Sequence, residues 1–230
     1  METNQLLLSS LFLLTVVATW IILYKALKGA KFMWFVALIW IPAQLLVGIK
    51  GFYLDTRTMP PHFLLTIGPP LLLIAFITIF KHKYLLENTS LKHLTLLHMV
   101  RIAVELVLLG LFLTGEVPKL MTFEGSNPDI LSGITAPLVW WGYRKGILGN
   151  KALLLWNFAC LGLLLNIVIR AILSAPLPFQ QFAFDQPNVA LLKAPFVLLP
   201  AFVVPAVMFA HVAAILKLVD GNVTSVRDLR

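Results

Sequence analysis

LTLLHMVRIAVELVLLGLFL, residues 94–113, decides the fold class. The stretch matches the roughly 20 residues that carry an α-helix across the hydrocarbon core of a bilayer, and it is apolar except at a few positions. His98, Arg101 and Glu105 interrupt it at i, i+3 and i+7, so the three project from one helical stripe. A single charge at the bilayer centre costs about 2.5–3.5 kcal/mol even on the lenient insertion scale. The stripe must therefore face a protein interior or a water-filled cavity. Arg101 and Glu105 are spaced to pair within the helix, with His98 about one turn further toward one end. The plainer alternative is a buried ion pair that only fixes helix packing, with His98 bonded to a neighbour.

The rest of the chain repeats the pattern. Of its 230 residues 60% are hydrophobic and 12% charged, against roughly 25% charged in soluble domains. Seven stretches meet the length criterion, at 6–24, 33–49, 63–80, 94–113, 128–143, 153–173 and 194–218. The expectation is an all-α bundle of seven transmembrane helices forming one domain over residues 1–230. The fifth stretch is the least apolar, but Asn127 as cap, Pro128 at the first helical position and Asp129 at the positive end of the dipole make a good helix start. The N-terminal segment lacks a basic leader and is long for a signal peptide, which predicts a retained first helix.

Charge orients the bundle. With the N-terminus outside and the C-terminus inside, twelve of the 18 basic residues fall in inner loops or the tail: Lys25, Lys28, Lys31, then Lys81, Lys83, Lys92, then Arg144, Lys145, Lys151, and finally Lys217, Arg227, Arg230. The outer loops hold only Lys50, Arg57, Lys119 and Lys193. That asymmetry is the positive-inside pattern, and it fails if the fifth stretch turns back. The net charge of +8 thus reads as topology and contact with anionic lipid rather than nucleic acid, since no basic patch is interleaved with aromatics. Trp20, Trp34, Trp140, Trp141 and Tyr143 near segment ends read as interface belts. The single cysteine, Cys160, excludes an intrachain disulfide.

Further polar residues collect at two depths. His211 on the seventh helix and Asn157 on the sixth are expected level with His98, forming with Arg101 and Glu105 a buried polar site. Two histidines and a carboxylate are types that bind metal or relay protons. No HExxH and no paired histidines on one helix are present, so neither a metal nor a cofactor is expected. Nearer the outside, Gln44, Asp55, Glu124, Asp129, Asn166, Arg170 and Asp185 are expected to form a polar vestibule, with Arg170 meeting one of the acids; interface anchoring is the alternative. Pro195, Pro200 and Pro205 predict a kinked seventh helix in which Pro200 and Pro205 release the carbonyls of Phe196 and Ala201. Broken helices of this kind occur at transporter binding sites. A rhodopsin is excluded because Lys193 and Lys217 lie at the ends of the last helix. Phosphate-binding glycine loops and a GxSxG elbow are absent.

Three stretches, GFYLDTRTMPPHF (51–63), MTFEGSNPDILSGITAPL (121–138) and FAFDQPN (182–188), resemble an uncharacterised family of bacterial multi-pass membrane proteins. The resemblance implies a bacterial cytoplasmic membrane and brings no activity. From the residues themselves, the expected function is a small, proton-coupled transporter or ligand-binding membrane protein whose partners are the bilayer and a small molecule. An intramembrane enzyme acting on lipid, with His98, Glu105 and His211 as ligands or acid–base groups, and a non-catalytic subunit of a membrane complex are the competing readings.

Overall fold

The computed structural model describes residues 2–220; Arg227, Arg230 and the C-terminal end lie outside the described residues. Among these the fold is all-helical, without strands. Eight helices follow one another: α1 (Glu2–Ala26), α2 (Phe32–Ile49), α3 (Leu64–Phe80), α4 (His82–Glu87), α5 (Leu91–Leu113), α6 (Ile130–Arg144), α7 (Asn150–Leu173) and α8 (Leu199–Val219). Five of them, α1, α2, α5, α7 and α8, are long and apolar enough to cross a membrane, and the chain is a multi-pass membrane protein. The other two expected crossings are shorter. The 17 residues of α3 and the 15 of α6 rise about 26 and 22 Å at 1.5 Å per residue, less than the hydrocarbon thickness.

α8 and α5 are the most enclosed of the long helices, and α2 the least. α1, α6 and α7 pack around the central pair, while α2 and α3 turn Leu38, Leu46, Leu72 and Ile79 outward. An apolar outer face is what a lipid-facing helix requires, because hydrocarbon rather than water is its solvent. Lys217, buried near the end of α8, reaches across to the carbonyls of Leu86 and Thr89 (2.5 and 2.9 Å) and so serves the C-terminal end of α4.

Prolines shape two of the helices in the same way. A π turn at Val36–Trp40 precedes Pro42 in α2, and a second at Leu199–Val203 precedes Pro205 in α8. Proline cannot donate to the carbonyl four residues back and its ring crowds it, so the turn before it widens. The carbonyl that Pro205 frees, that of Ala201, accepts a bond from the Trp40 indole (2.9 Å). The two irregular turns are thus fastened to each other. Pro195, expected within the last helix, instead lies ahead of it, after the 3₁₀ turn Ala190–Leu192, and the helix begins at Leu199.

α5 tightens at one point. Between Leu97 and Val100 the backbone makes i→i+3 bonds, with His98 and Met99 carbonyls accepting from Arg101 and Ile102 (3.0 and 3.1 Å). α6 crosses there at close range through Gly133, where a Cβ would stand 2.7 Å from Ile102 Cγ1 and 3.2 Å from the His98 carbonyl oxygen. The crossing brings the start of α6 against the polar stripe.

Candidate functional site

Arg101 is the hub. It is 2% exposed, and all five guanidinium N–H donors have partners. Nε donates to Asp129 Oδ2 (2.6 Å) and Nη2 pairs with Asp129 Oδ1, a side-on bidentate ion pair. Both Nη1 and Nη2 donate to the Cys160 carbonyl (3.3 Å each), and Nη1 also donates to His211 Nε2 (3.2 Å). One side chain on α5 therefore joins the entry to α6, the middle of α7 and the middle of α8. The in-helix partner expected from spacing, Glu105, is not the one taken. Asp129, expected in an outer vestibule and as an acid at the positive end of the α6 dipole, makes no capping bond and is buried at 4% exposure. A guanidinium sealed from water needs a carboxylate with matching fork geometry, and the short, loop-held Asp129 supplies it where Glu105, one turn further along the same helix, does not.

The contacts assign the His211 tautomer. Arginine can only donate, so His211 Nε2 accepts and the ring proton lies on Nδ1, which donates to Asn157 Oδ1 (3.0 Å). Asn157 in turn donates to the Leu153 carbonyl (2.9 Å), which holds its oxygen toward the ring. His98 stacks on His211 with centroids 3.8 Å apart and planes 17° from parallel. The Trp156 ring lies beside the pair, 5.5 Å from His98 and 6.1 Å from His211, its indole bonded to Thr135 (3.0 Å). Both His98 nitrogens are fully buried yet have no hydrogen-bond partner. Such an orphan costs about 1–3 kcal/mol, so this ring keeps its donor and acceptor in reserve.

Glu105 occupies the opposite end of the network. Asn127 Nδ2 donates to its Oε1 (2.5 Å) and to the Met121 carbonyl (3.0 Å), while Asn127 Oδ1 accepts from the Asp129 backbone N–H (3.3 Å). Gly125 makes this loop possible: a Cβ there would overlap the Lys119 carbonyl, at 2.1 Å. Glu105 Oε2 is buried without a partner. Arg101, Glu105 and Asp129 all line a cavity of about 60 Å³ whose remaining wall is apolar, including Ile67, Leu164, Pro200 and Val203. The space is of water size rather than substrate size. Asn157, His211, Arg101, Asp129, Asn127 and Glu105 thus form one continuous bonded chain through the protein.

The structure brings His98, Arg101, Asn157 and His211 into direct contact and links Glu105 to them through Asn127 and Asp129. Among the described residues no group of three or more His, Cys, Asp and Glu is placed to hold a metal ion; the Glu105 carboxylate bonds at one end of the chain and the imidazoles lie at the other. The expected vestibule divides. Arg170 donates to Asn166 (2.9 Å) rather than to an acid, and Asn166 donates to the Ser126 carbonyl (3.1 Å), tying α7 to the loop before α6. Gln44 accepts from Tyr53 (2.7 Å) in a separate small core; burial raises the Tyr53 hydroxyl above its usual pKa, the Gln44 bond opposing it. Asp55, Glu124 and Asp185 are exposed. Spacing alone missed the bond of Asn127 to Glu105, the Cys160 carbonyl and the burial of the Asp129 face of α6. The signal was present: Asp129, Ser132, Ala136 and Trp140 recur at helical intervals, and all four are buried.

Membrane-length helices around a sealed ionic hub define a multi-pass membrane protein with an internal polar site. A family model described as Domain of unknown function (DUF8737) matches residues 58–219, and the chain belongs to that family. No curated protein and no solved structure matches it.

Proposed function

We propose that this chain is a proton-coupled transporter or ligand-binding protein for a small molecule, in which Glu105 is the group that takes up and releases a proton. One observation carries the reading: Glu105 Oε2 is buried, unbonded and beside a water-sized cavity, at the end of a bonded chain that runs through Arg101 and His211 to Asn157. An intramembrane ionisable group in that setting is functional by default. Arg101 and Asp129 neutralise each other and hold the helices together. Glu105 is left as the carboxyl that is free to change state, and His98 and His211 are the relay on the far side.

Around that site we read one domain over residues 1–230. α3 and α6 complete a bundle of seven crossings with a proline-kinked last helix, the N-terminus outside and the C-terminus inside a bacterial cytoplasmic membrane. The distribution of basic residues supports this orientation. Gln44, Asn166, Arg170 and the exposed acids Asp55, Glu124 and Asp185 flank the entrance, and no nucleic acid is involved.

Infrared titration of the reconstituted protein tests the central step. A carboxylic-acid C=O band should come and go with pH and be lost in Glu105→Gln. In proteoliposomes under an imposed pH gradient, proton flux in the presence of amino acids, sugars and organic acids should fall at least about tenfold in the same variant, the loss expected when a positioned acid–base group is removed. A band or a flux indifferent to Glu105→Gln overturns the proposal.

A further inference from the structure

A hollow much larger than the one at the polar site lies elsewhere in the described residues. A groove of about 850 Å³ runs between the α1–α2 connection, α3, α4 and the first half of α8. This is within the size range of sites that enclose whole ligands. Its floor is made where the helices are irregular: Val36 and Trp40 from one π turn, Ala201 and Phe202 from the other, and Pro69 and Pro70 across from them. The bend in each helix keeps the three from closing on one another. Phe32, Phe35 and Leu73 along its rim are exposed, so the groove opens sideways to the surrounding hydrocarbon.

One end of the groove is charged. Lys31 and Lys81 both line it, both are exposed, and no acidic residue is among the lining. Neither ammonium is bonded to a carboxylate of the described residues. Tyr84 and Asn88 also line the groove, the Asn88 amide donating to the Tyr84 carbonyl (3.0 Å). Trp20, Tyr24 and Trp34 cluster beside Lys31, with ring centroids 5.2 to 6.1 Å apart. Tryptophan and tyrosine collect at headgroup depth. The geometry points to a binding site for an anionic phospholipid, with acyl chains along the proline-bent helices and the phosphate between Lys31 and Lys81. Positive charge at headgroup level with no protein counter-ion selects an anionic lipid over a zwitterionic one. In the topology proposed above this is the inner leaflet, but the site itself does not depend on that topology or on the role of Glu105.

Native mass spectrometry of the full chain in detergent, with equal amounts of phosphatidylglycerol and phosphatidylcholine of identical acyl chains, tests the assignment. Phosphatidylglycerol should be retained about tenfold over phosphatidylcholine, in keeping with two lysines near one phosphate. The double variant Lys31→Gln, Lys81→Gln should bring the ratio close to one. Lys50→Gln with Lys83→Gln, which removes two charges away from the groove, should leave it unchanged. Ile74→Trp, which fills the groove from α3, should reduce retention of both lipids in a chain that still elutes as a single folded species. Equal retention of the two lipids by the parent chain, an undiminished preference in the Lys31/Lys81 variant, or undiminished retention in Ile74→Trp would each overturn the site.

Discussion

Arg101 shows how a charge can sit inside a membrane protein with protein groups meeting every donor. Every donor it has is spent, two of its five contacts on one carboxylate and the other three on a carbonyl and an imidazole. Removing one partner should therefore cost far more than removing both. Asp129→Asn should destabilise the protein by about 3–5 kcal/mol in chemical unfolding from micelles, because the guanidinium stays buried with its charge unmatched. Arg101→Met combined with Asp129→Leu should recover most of that loss. A single variant within about 0.5 kcal/mol of the parent would show that water reaches the pair. The stripe of His98, Arg101 and Glu105 was readable from spacing alone, since one helical period governs all three. The true partner of Arg101 was not. Asp129 is 28 positions away in a loop, and it looked like an acid set against a helix dipole; only the fold brings a long side chain and a distant short one together.

At the scale of elements, the crossing of α5 and α6 rests on one missing side chain. Gly133 lies over the tightened turn at His98, close to the Ile102 amide nitrogen (3.1 Å from a Cβ). Gly133→Val should force α6 away from α5 and cost about 1–3 kcal/mol in thermal unfolding, with the Trp156 fluorescence changing as the packing over His98 loosens. Unaltered stability in that variant would mean that the helices have slack at the crossing. The helices themselves were readable in the sequence, because apolar runs of fixed length have few other uses. Their ends were less so. Pro128 and Asp129 carry the chemistry of a first helical turn, and the chain does turn there, their carbonyls accepting from Leu131 and Ser132 (3.1 and 3.0 Å) before the α-helix starts at Ile130. The prolines announced a disturbed last helix, but not that an indole from α2 would satisfy the freed carbonyl, since that bond spans 161 positions.

The whole molecule is a tight centre of α5 and α8, wrapped by α1, α3, α6 and α7, with α2 the least enclosed and the lateral groove lying between it, α3 and α8. Composition alone foretold the membrane class, since so few charges cannot cover a soluble surface. Which short helices cross is the finer matter, and α6 decides it. With single cysteines in a Cys160→Ala background, an impermeant maleimide applied to intact cells should label Glu124→Cys and leave Lys28→Cys and Lys145→Cys unlabelled until the cells are opened. Labelling of Lys145→Cys from outside would mean that α6 turns back within the bilayer. The hub at Arg101 also has a consequence for biogenesis. The carboxylate, the carbonyl and the imidazole that satisfy it all lie later in the chain than the arginine itself, the last of them 110 positions on. As α5 leaves the ribosome its charge has no partner yet made in the later chain, so the helix must wait in the translocation machinery or at an aqueous margin until Asp129 arrives. Residence of α5 in the bilayer thus depends on chain made after it, and synthesis halted before Asp129 leaves a fragment with an unmatched charge at its centre.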